Sequence, residues 1–290
     1  MFFRDFWESS ISTSSPMFRA LLFDVDGTIV SGRKPMNGAN ELLRDLRSYG
    51  MPFFFLTNDS HHSSEQKAAL MKRAGVDVYS DEIISCSHAL ELFVRKNSLS
   101  GSLVFIMGEF GTPCFAEAAG LQPCRDLERI DECSFVIAGE GYFDWHDTFQ
   151  AVMNYFIRHP ERHLVVPNPD SYWPEASRGR FGIGAGAQAR FIAGILTEMN
   201  INIKIDYLGK PHELIFNYAL ERLETKYGLN NLRSNEVIML GDALFSDIAG
   251  ARRAGLRSAL VMTGVTTLEM LDGLPAEDSP DWVFEAIAAE

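Results

Sequence analysis

Arg19-Ala-Leu-Leu-Phe-Asp24-Val-Asp26-Gly27-Thr28 is the stretch from which the fold is read. A short apolar run stopped by an acidic residue and a glycine suits a parallel strand covered on both faces. Alternation along an extended chain puts Asp24 and Asp26 on the same side. Gly27 lets the chain turn beyond them. Two carboxylates ending an apolar strand are costly to bury unpaired, so they call for a metal or hydrogen-bond partners. In that setting one carboxylate can attack phosphorus while the other trades a proton with the leaving oxygen. The same residues also suit the capping of a turn.

Outward from this strand the pattern alternates. Leu42, Leu43 and Leu46 lie at helical spacing between Asn40 and Tyr49, and Gly50 stops the helix. Pro52-Phe-Phe-Phe-Leu-Thr57 reads as a second strand, and a further helix starts near Ser63 with Gln66 placed for a capping box. Strand, helix, strand and helix in this order predict a right-handed βαβ unit. At the far end Asn235 to Gly241 reads as a strand, Asp247 to Ala254 as a helix and Ser258 to Met262 as another strand. The middle has its own strand-like runs, Ser102 to Met107, Phe135 to Ala138 and His163 to Val166, with helical runs at Asp147 to Ile157 and Ala187 to Glu198. The expected architecture is α/β, a doubly wound parallel-sheet core of residues 18–81 and 204–290 with a smaller α/β domain, residues 82–203, inserted into it. Residues 1–17 read as an N-terminal extension.

Three more stretches sit where strands are expected to end, the place where open α/β sheets bind ligands. In Leu56-Thr57-Asn58-Asp59 a hydroxyl and an amide are available to phosphate oxygens, although these residues are also good turn chemistry. The adjacent His61-His62 pair diverges at a helix start and reads as solvated polar residues rather than metal ligands. Lys210, between Gly209 and Pro211, is a point charge suited to neutralising a carboxylate and a phosphate together. Asp242, after Leu240-Gly241, can complete a Mg²⁺ site with Asp24. Asp247 either caps the following helix or supports the metal ligands from behind, and the two roles are compatible.

Composition narrows the partners. The 290 residues carry a net charge of −13 with no basic run, which argues against nucleic acid. A few cations and a metal can still reverse the sign inside one cleft. Hydrophobic residues are 46% of the chain, enough for a real core. Cys86, Cys114, Cys124 and Cys133 have no zinc-ligand spacing and read as reduced thiols. The N-terminus mixes charges with aromatics and is not read as a signal peptide, and the apolar stretch Met51 to Leu56 is far short of a membrane span. The expectation is a cytoplasmic protein that contacts no membrane.

As a set, Asp24-Val-Asp-Gly-Thr28, Thr57, Lys210 and Gly241-Asp242…Asp247 resemble the motifs of the haloacid dehalogenase superfamily of phosphatases. Only about thirty residues separate Asp24 from Thr57, room for one crossover helix, so the insertion follows the second motif and resembles a type II cap. Thr57-Asn58-Asp59-Ser60, Asn168-Pro169-Asp170, Gly184-Ala-Gly186 and Gly209-Lys-Pro211 are similar to subfamily IIA. The resemblance implies hydrolysis of a small-molecule phosphate monoester through an aspartyl phosphate. It assigns Asp24 as nucleophile and Asp26 as acid and base. Mg²⁺ falls to Asp24, the Asp26 carbonyl and Asp242, and the phosphoryl group to Lys210, Thr57, Asn58 and backbone N–H groups near Gly27. Substrate choice falls to the cap, around Asp170, Tyr172 and Trp173, and a homodimer through the cap is left open. Glu140 departs from relatives that place an aromatic residue there. A phosphomutase or phosphotransferase of the same superfamily and a phospholigand-binding protein without turnover are the alternatives.

Overall fold

Ala20–Asp24, four apolar residues and an aspartate, is buried along its whole length and forms the centre of a six-stranded sheet. The computed structural model describes residues 1–11, 17–175 and 179–289. In sequence order the six strands are Ala20–Asp24, Phe53–Thr57, Ile83–Ser85, Val237–Gly241, Arg257–Val261 and Trp282–Phe284. Across the sheet they run 3-2-1-4-5-6, the doubly wound order. Ala20–Asp24 pairs in parallel with Val237–Gly241 on one side and Phe53–Thr57 on the other. The order reverses between the first and fourth strands, so the crevice beyond Asp24 and Gly241 is the switch point of this sheet. Every residue of Phe53–Thr57 and Val237–Gly241 is buried, which is why these strands read as continuous apolar runs rather than alternating ones.

The chain forms two compact units, residues 1–57, 67–84 and 210–290 in the first and residues 58–66 and 85–209 in the second. These bounds differ from those expected at 81/82 and 203/204. Lys204–Tyr207 is hydrogen-bonded to His163–Val166 and so belongs to the second unit, and the chain passes to the first only at Lys210. The second unit is built on a five-stranded parallel sheet in the order Lys204–Tyr207, His163–Val166, Phe135–Ala138, Leu103–Met107, Gln122–Cys124. Helices Trp145–Arg158 and Ala185–Glu198 contribute Val152, Phe156, Ala189 and Ile192 to its core. The capping box expected near Ser63 is reciprocal. Gln66 accepts from the Ser63 N–H at 2.8 Å, and the Gln66 N–H donates to Ser63 Oγ at 3.3 Å.

The N-terminal extension is not an appendage over its described part. Phe3–Ile11 is a helix whose Phe3 and Trp7 are fully buried in the core of the first unit. Phe3 meets Phe23 edge-on, and Trp7 packs on Phe18 and Tyr49. Mixed charges in this segment conceal an amphipathic helix, because the aromatics recur three and four apart. Residues 12–16 lie outside the described residues. Trp7→Ala should cost about 3 kcal/mol, the range for removing a buried aromatic, read as a lower urea midpoint with unchanged slope.

Candidate active site

Two strand ends and one turn of the first unit converge on one ammonium. Lys210 Nζ donates to Asp24 Oδ1 at 2.5 Å, to Asp247 Oδ1 at 2.7 Å and to the Leu56 carbonyl at 3.2 Å. The Lys210 side chain is 3% exposed, Asp24's 13% and Asp247's 1%. Burial pulls the Lys210 ammonium down, but Asp24 and Asp247 outweigh it, so the group is held above its ordinary value and stays charged. Asp24 is pushed well up by burial, which the attraction of Lys210 opposes and the nearby Asp247 and Asp242 reinforce.

Asp242 completes the cluster. Ligand atoms of Asp24, Asp242 and Asp247 lie within 4.8 Å of one another, and no other such group of three occurs among the described residues. Burial raises the Asp242 carboxyl to about 6, with Asp247 adding to the effect. Its Oδ2 accepts from the Val265 N–H at 2.7 Å, and its carbonyl accepts from Thr266 Oγ1 at 2.5 Å. Gly27, at φ +91°, and Gly264 both press against this carboxylate, and a Cβ on either would strike it. The Gly27 N–H donates to the Val30 carbonyl at 2.8 Å. A glycine at this position admits the Asp242 carboxylate.

When all are ionised, three carboxylates stand against one ammonium, a local charge of −2. Oxygen donors with that excess fit a divalent cation, whereas a thiolate or imidazole set would favour a softer metal. Asp247 uses both of its oxygens. Oδ1 holds Lys210 while Oδ2 accepts from the Ala243 N–H at 3.1 Å, inside the π-helical turn Leu244–Ile248. That turn replaces the start of the helix expected from Asp247, and Ala249–Arg253 continues it as α-helix.

Thr57 ends its strand, buried, in the first unit. Asn58 is the next residue along the chain. It belongs to the second unit, where Nδ2 donates to Asp170 Oδ2 at 3.1 Å. Asp26 keeps a mostly exposed side chain, and Lys67 Nζ donates to its Oδ2 at 3.1 Å. In the second unit, Glu140 is buried and accepts from Ser60 Oγ at 2.9 Å, Asn168 Nδ2 at 3.0 Å and the Ala185 N–H at 3.1 Å. Burial raises its carboxyl to about 7 despite those donors. Tyr172 and Trp173 stand exposed on a hairpin, Tyr172 edge-on to Phe181. His62 Nδ1 contacts the Asp59 carboxylate at 3.0 Å and His61 pairs with Glu109 at 3.2 Å, ordinary local pairings.

Sequence reasoning missed Lys67 and the loop 263–266. Lys67 shares the buried face of its helix with Ala68 and Met71, and a lysine at an apolar position of that spacing was the available signal. The loop follows the strand Arg257–Val261, another strand end of the kind already singled out.

Comparisons with known proteins agree with this fold. Residues 21–122 match the haloacid dehalogenase-like hydrolase model, and residues 207–289 match a second model of HAD-like hydrolases. The chain is 29% identical over 269 residues to the ribonucleotide monophosphatase NagD of Escherichia coli K12, spanning 92% of this chain and 96% of NagD. The NagD structure superposes with a TM-score of 0.79, covering 94% of this chain and 98% of that one at 26% identity. An acid sugar phosphatase of Staphylococcus aureus is 28% identical over 87% of this chain and 89% of its own. A glycerol phosphate phosphatase of Mycobacterium tuberculosis, solved with magnesium, is 25% identical with a TM-score of 0.76, covering 94% of this chain and 76% of that one. The chain belongs to the haloacid dehalogenase-like hydrolases, subfamily IIA.

The raised Asp242 carboxyl gives a pH prediction for protein in chelator. Between the ordinary 3.8 and about 6, the folded state keeps a proton that the unfolded state gives up. Stability from this group therefore falls as pH rises through that window. Asp242→Asn removes the fall. Relative to wild type it should gain about 2 kcal/mol between pH 4 and pH 7, at 1.36 kcal/mol per pKa unit, measured by urea unfolding at both pH values.

Proposed function

We propose that this phosphatase hydrolyses a small-molecule phosphate monoester with Asp24 as nucleophile and Mg²⁺ as cofactor. The observation that carries the reading is the buried Lys210 ammonium shared by Asp24 and Asp247 beside Asp242. A nucleophilic carboxylate must be ionised when it meets phosphorus, and burial alone works against that. Lys210 supplies part of the compensation, and its charge also meets the phosphoryl oxygens.

The carboxylates of Asp24 and Asp242, with the Asp26 carbonyl, would hold the cation. When bound, Mg²⁺ favours the ionised carboxylates and spreads the charge that develops on the transferring group. Asp24 attacks in line, forming its bond to phosphorus as the bond to the leaving oxygen breaks. Asp26 delivers its carboxyl proton to that oxygen, releasing the alcohol. Water then attacks the aspartyl phosphate and returns a proton to Asp26. The bond from Asp24 to phosphorus breaks and inorganic phosphate departs. Thr57 contributes to the phosphoryl site from the end of its strand.

The catalytic set reads only a phosphate, so the choice of alcohol falls to the second unit, with Asp170, Tyr172 and Trp173 as its agents. Exposed aromatic rings suit stacking on a ring-bearing substrate. The relatives' named substrates, a ribonucleotide, a sugar phosphate and glycerol phosphate, define the panel to try.

Phosphate release from that panel and from 4-nitrophenyl phosphate should require Mg²⁺ and stop in chelator. Asp24→Asn should reduce it by several orders of magnitude, as removal of a member of a concerted set does. Near-normal turnover by the Asp24→Asn protein would remove the mechanism. Phosphoryl transfer to an acceptor in place of free phosphate would make the protein a mutase or transferase. Tyr172→Ala should reorder the panel by KM while leaving the Mg²⁺ titration in place, and an unchanged ranking would take Tyr172 out of substrate choice.

A further inference from the structure

We propose that Lys67 is a positioning residue that holds the Asp26 carboxylate in place for proton transfer. The inference rests on the assignment of Asp26 as the acid and base of the reaction proposed above.

The two partners are unequal. The Lys67 side chain is 11% exposed and that of Asp26 is 73% exposed, with Nζ donating to Oδ2 at 3.1 Å. Lys67 lies on the helix Ser64–Arg73, on the face it shares with buried Ala68 and Met71. Its stem is therefore fixed by packing, and its charged end emerges at Asp26. The Asp26 carboxylate sits just after a strand end, where no packing fixes its rotamer. An exposed carboxylate without a fixed partner samples several rotamers, and general acid catalysis needs the proton within hydrogen-bond reach of one particular oxygen. A lysine on a buried helix face is itself a poor choice for stability, since an apolar residue there would need no charge partner. The pairing thus has a physical role on the Asp26 side.

A lysine that acted on the phosphate itself would affect every substrate alike. One that places the acid affects only substrates whose leaving oxygen needs a proton. Shape-matched aryl esters separate the two. 4-Nitrophenolate departs without a proton, whereas the phenolate of phenyl phosphate is a much stronger base and requires one. The ratio kcat/KM reports the first half-reaction alone.

Lys67→Met, which removes the charge but keeps an apolar stem for the helix face, should lower kcat/KM for phenyl phosphate about tenfold, part of the 10²–10⁴ that general acids supply. It should leave kcat/KM for 4-nitrophenyl phosphate within about twofold. With the same ester, kcat should fall and acid-quenched phosphoenzyme accumulate, because Asp26 also activates the water that clears the intermediate. Lys67→Arg should restore most of the loss. In an Asp26→Asn background, Lys67→Met should change nothing further, since the effect runs through Asp26. Equal losses with both esters, no loss with either, or a further loss in the Asp26→Asn background would each overturn the inference. Turnover that depends on Asp24 but ignores Lys67 leaves the proposed function standing and sinks this inference alone. No turnover of either ester by wild type sinks both.

Discussion

Lys210 Nζ lies within hydrogen-bond distance of Asp24, Asp247 and the Leu56 carbonyl, in a pocket closed to water on almost every side. Three segments that are remote in sequence depend on that one charge. Without it, two buried carboxylates would face each other uncompensated, a penalty of several kcal/mol for each ion even after relaxation. With it, the ends of the first two strands of the sheet and the turn after the fourth are fixed to a common point. The sheet supplies the reason these ends meet at all. Its strand order reverses between Ala20–Asp24 and Val237–Gly241, and loops leave that seam in opposite directions.

The compensation is deliberately incomplete in charge terms. One ammonium serves three carboxylates, and burial leaves Asp24 and Asp242 reluctant to ionise. A site balanced for structure alone would contain an equal number of each sign, or apolar residues. Surplus negative charge of this kind suits a divalent cation. Glycines at 27 and 264 serve the same end, since any side chain there would displace Asp242.

The second unit repeats the use of buried polar groups for a different purpose. Glu140 ties Ser60, Asn168 and the start of the helix Ala185–Glu198 together, so that stretches spread over 126 positions (60 to 185, counted inclusively) share one carboxylate. Asp170, held on the same loop as Asn168, takes the amide of Asn58. The residues first read as phosphate ligand, departure and specificity loop therefore form one hydrogen-bonded group. Such a group gives the aromatic hairpin that follows it a fixed base.

Much of this molecule is legible in its sequence. Apolar runs ending in acids, glycines at their turns and the long gap before Lys210 were enough to give the α/β class, the inserted domain and the candidates Asp24, Asp26, Thr57, Lys210, Asp242 and Asp247, four of which, Asp24, Lys210, Asp242 and Asp247, the structure clusters. Local patterns carry that information because a strand buried on both faces admits little but apolar residues, which leaves the acids at its end conspicuous. What sequence alone left open was each residue's partner. That Asp247 pairs with Lys210, which unit claimed Asn58, how Phe3 and Trp7 joined the core and that Lys67 reaches Asp26 were all decided by tertiary structure. Those are contacts between residues distant along the chain, and a side chain's type and spacing fix which face it occupies without fixing what lies opposite.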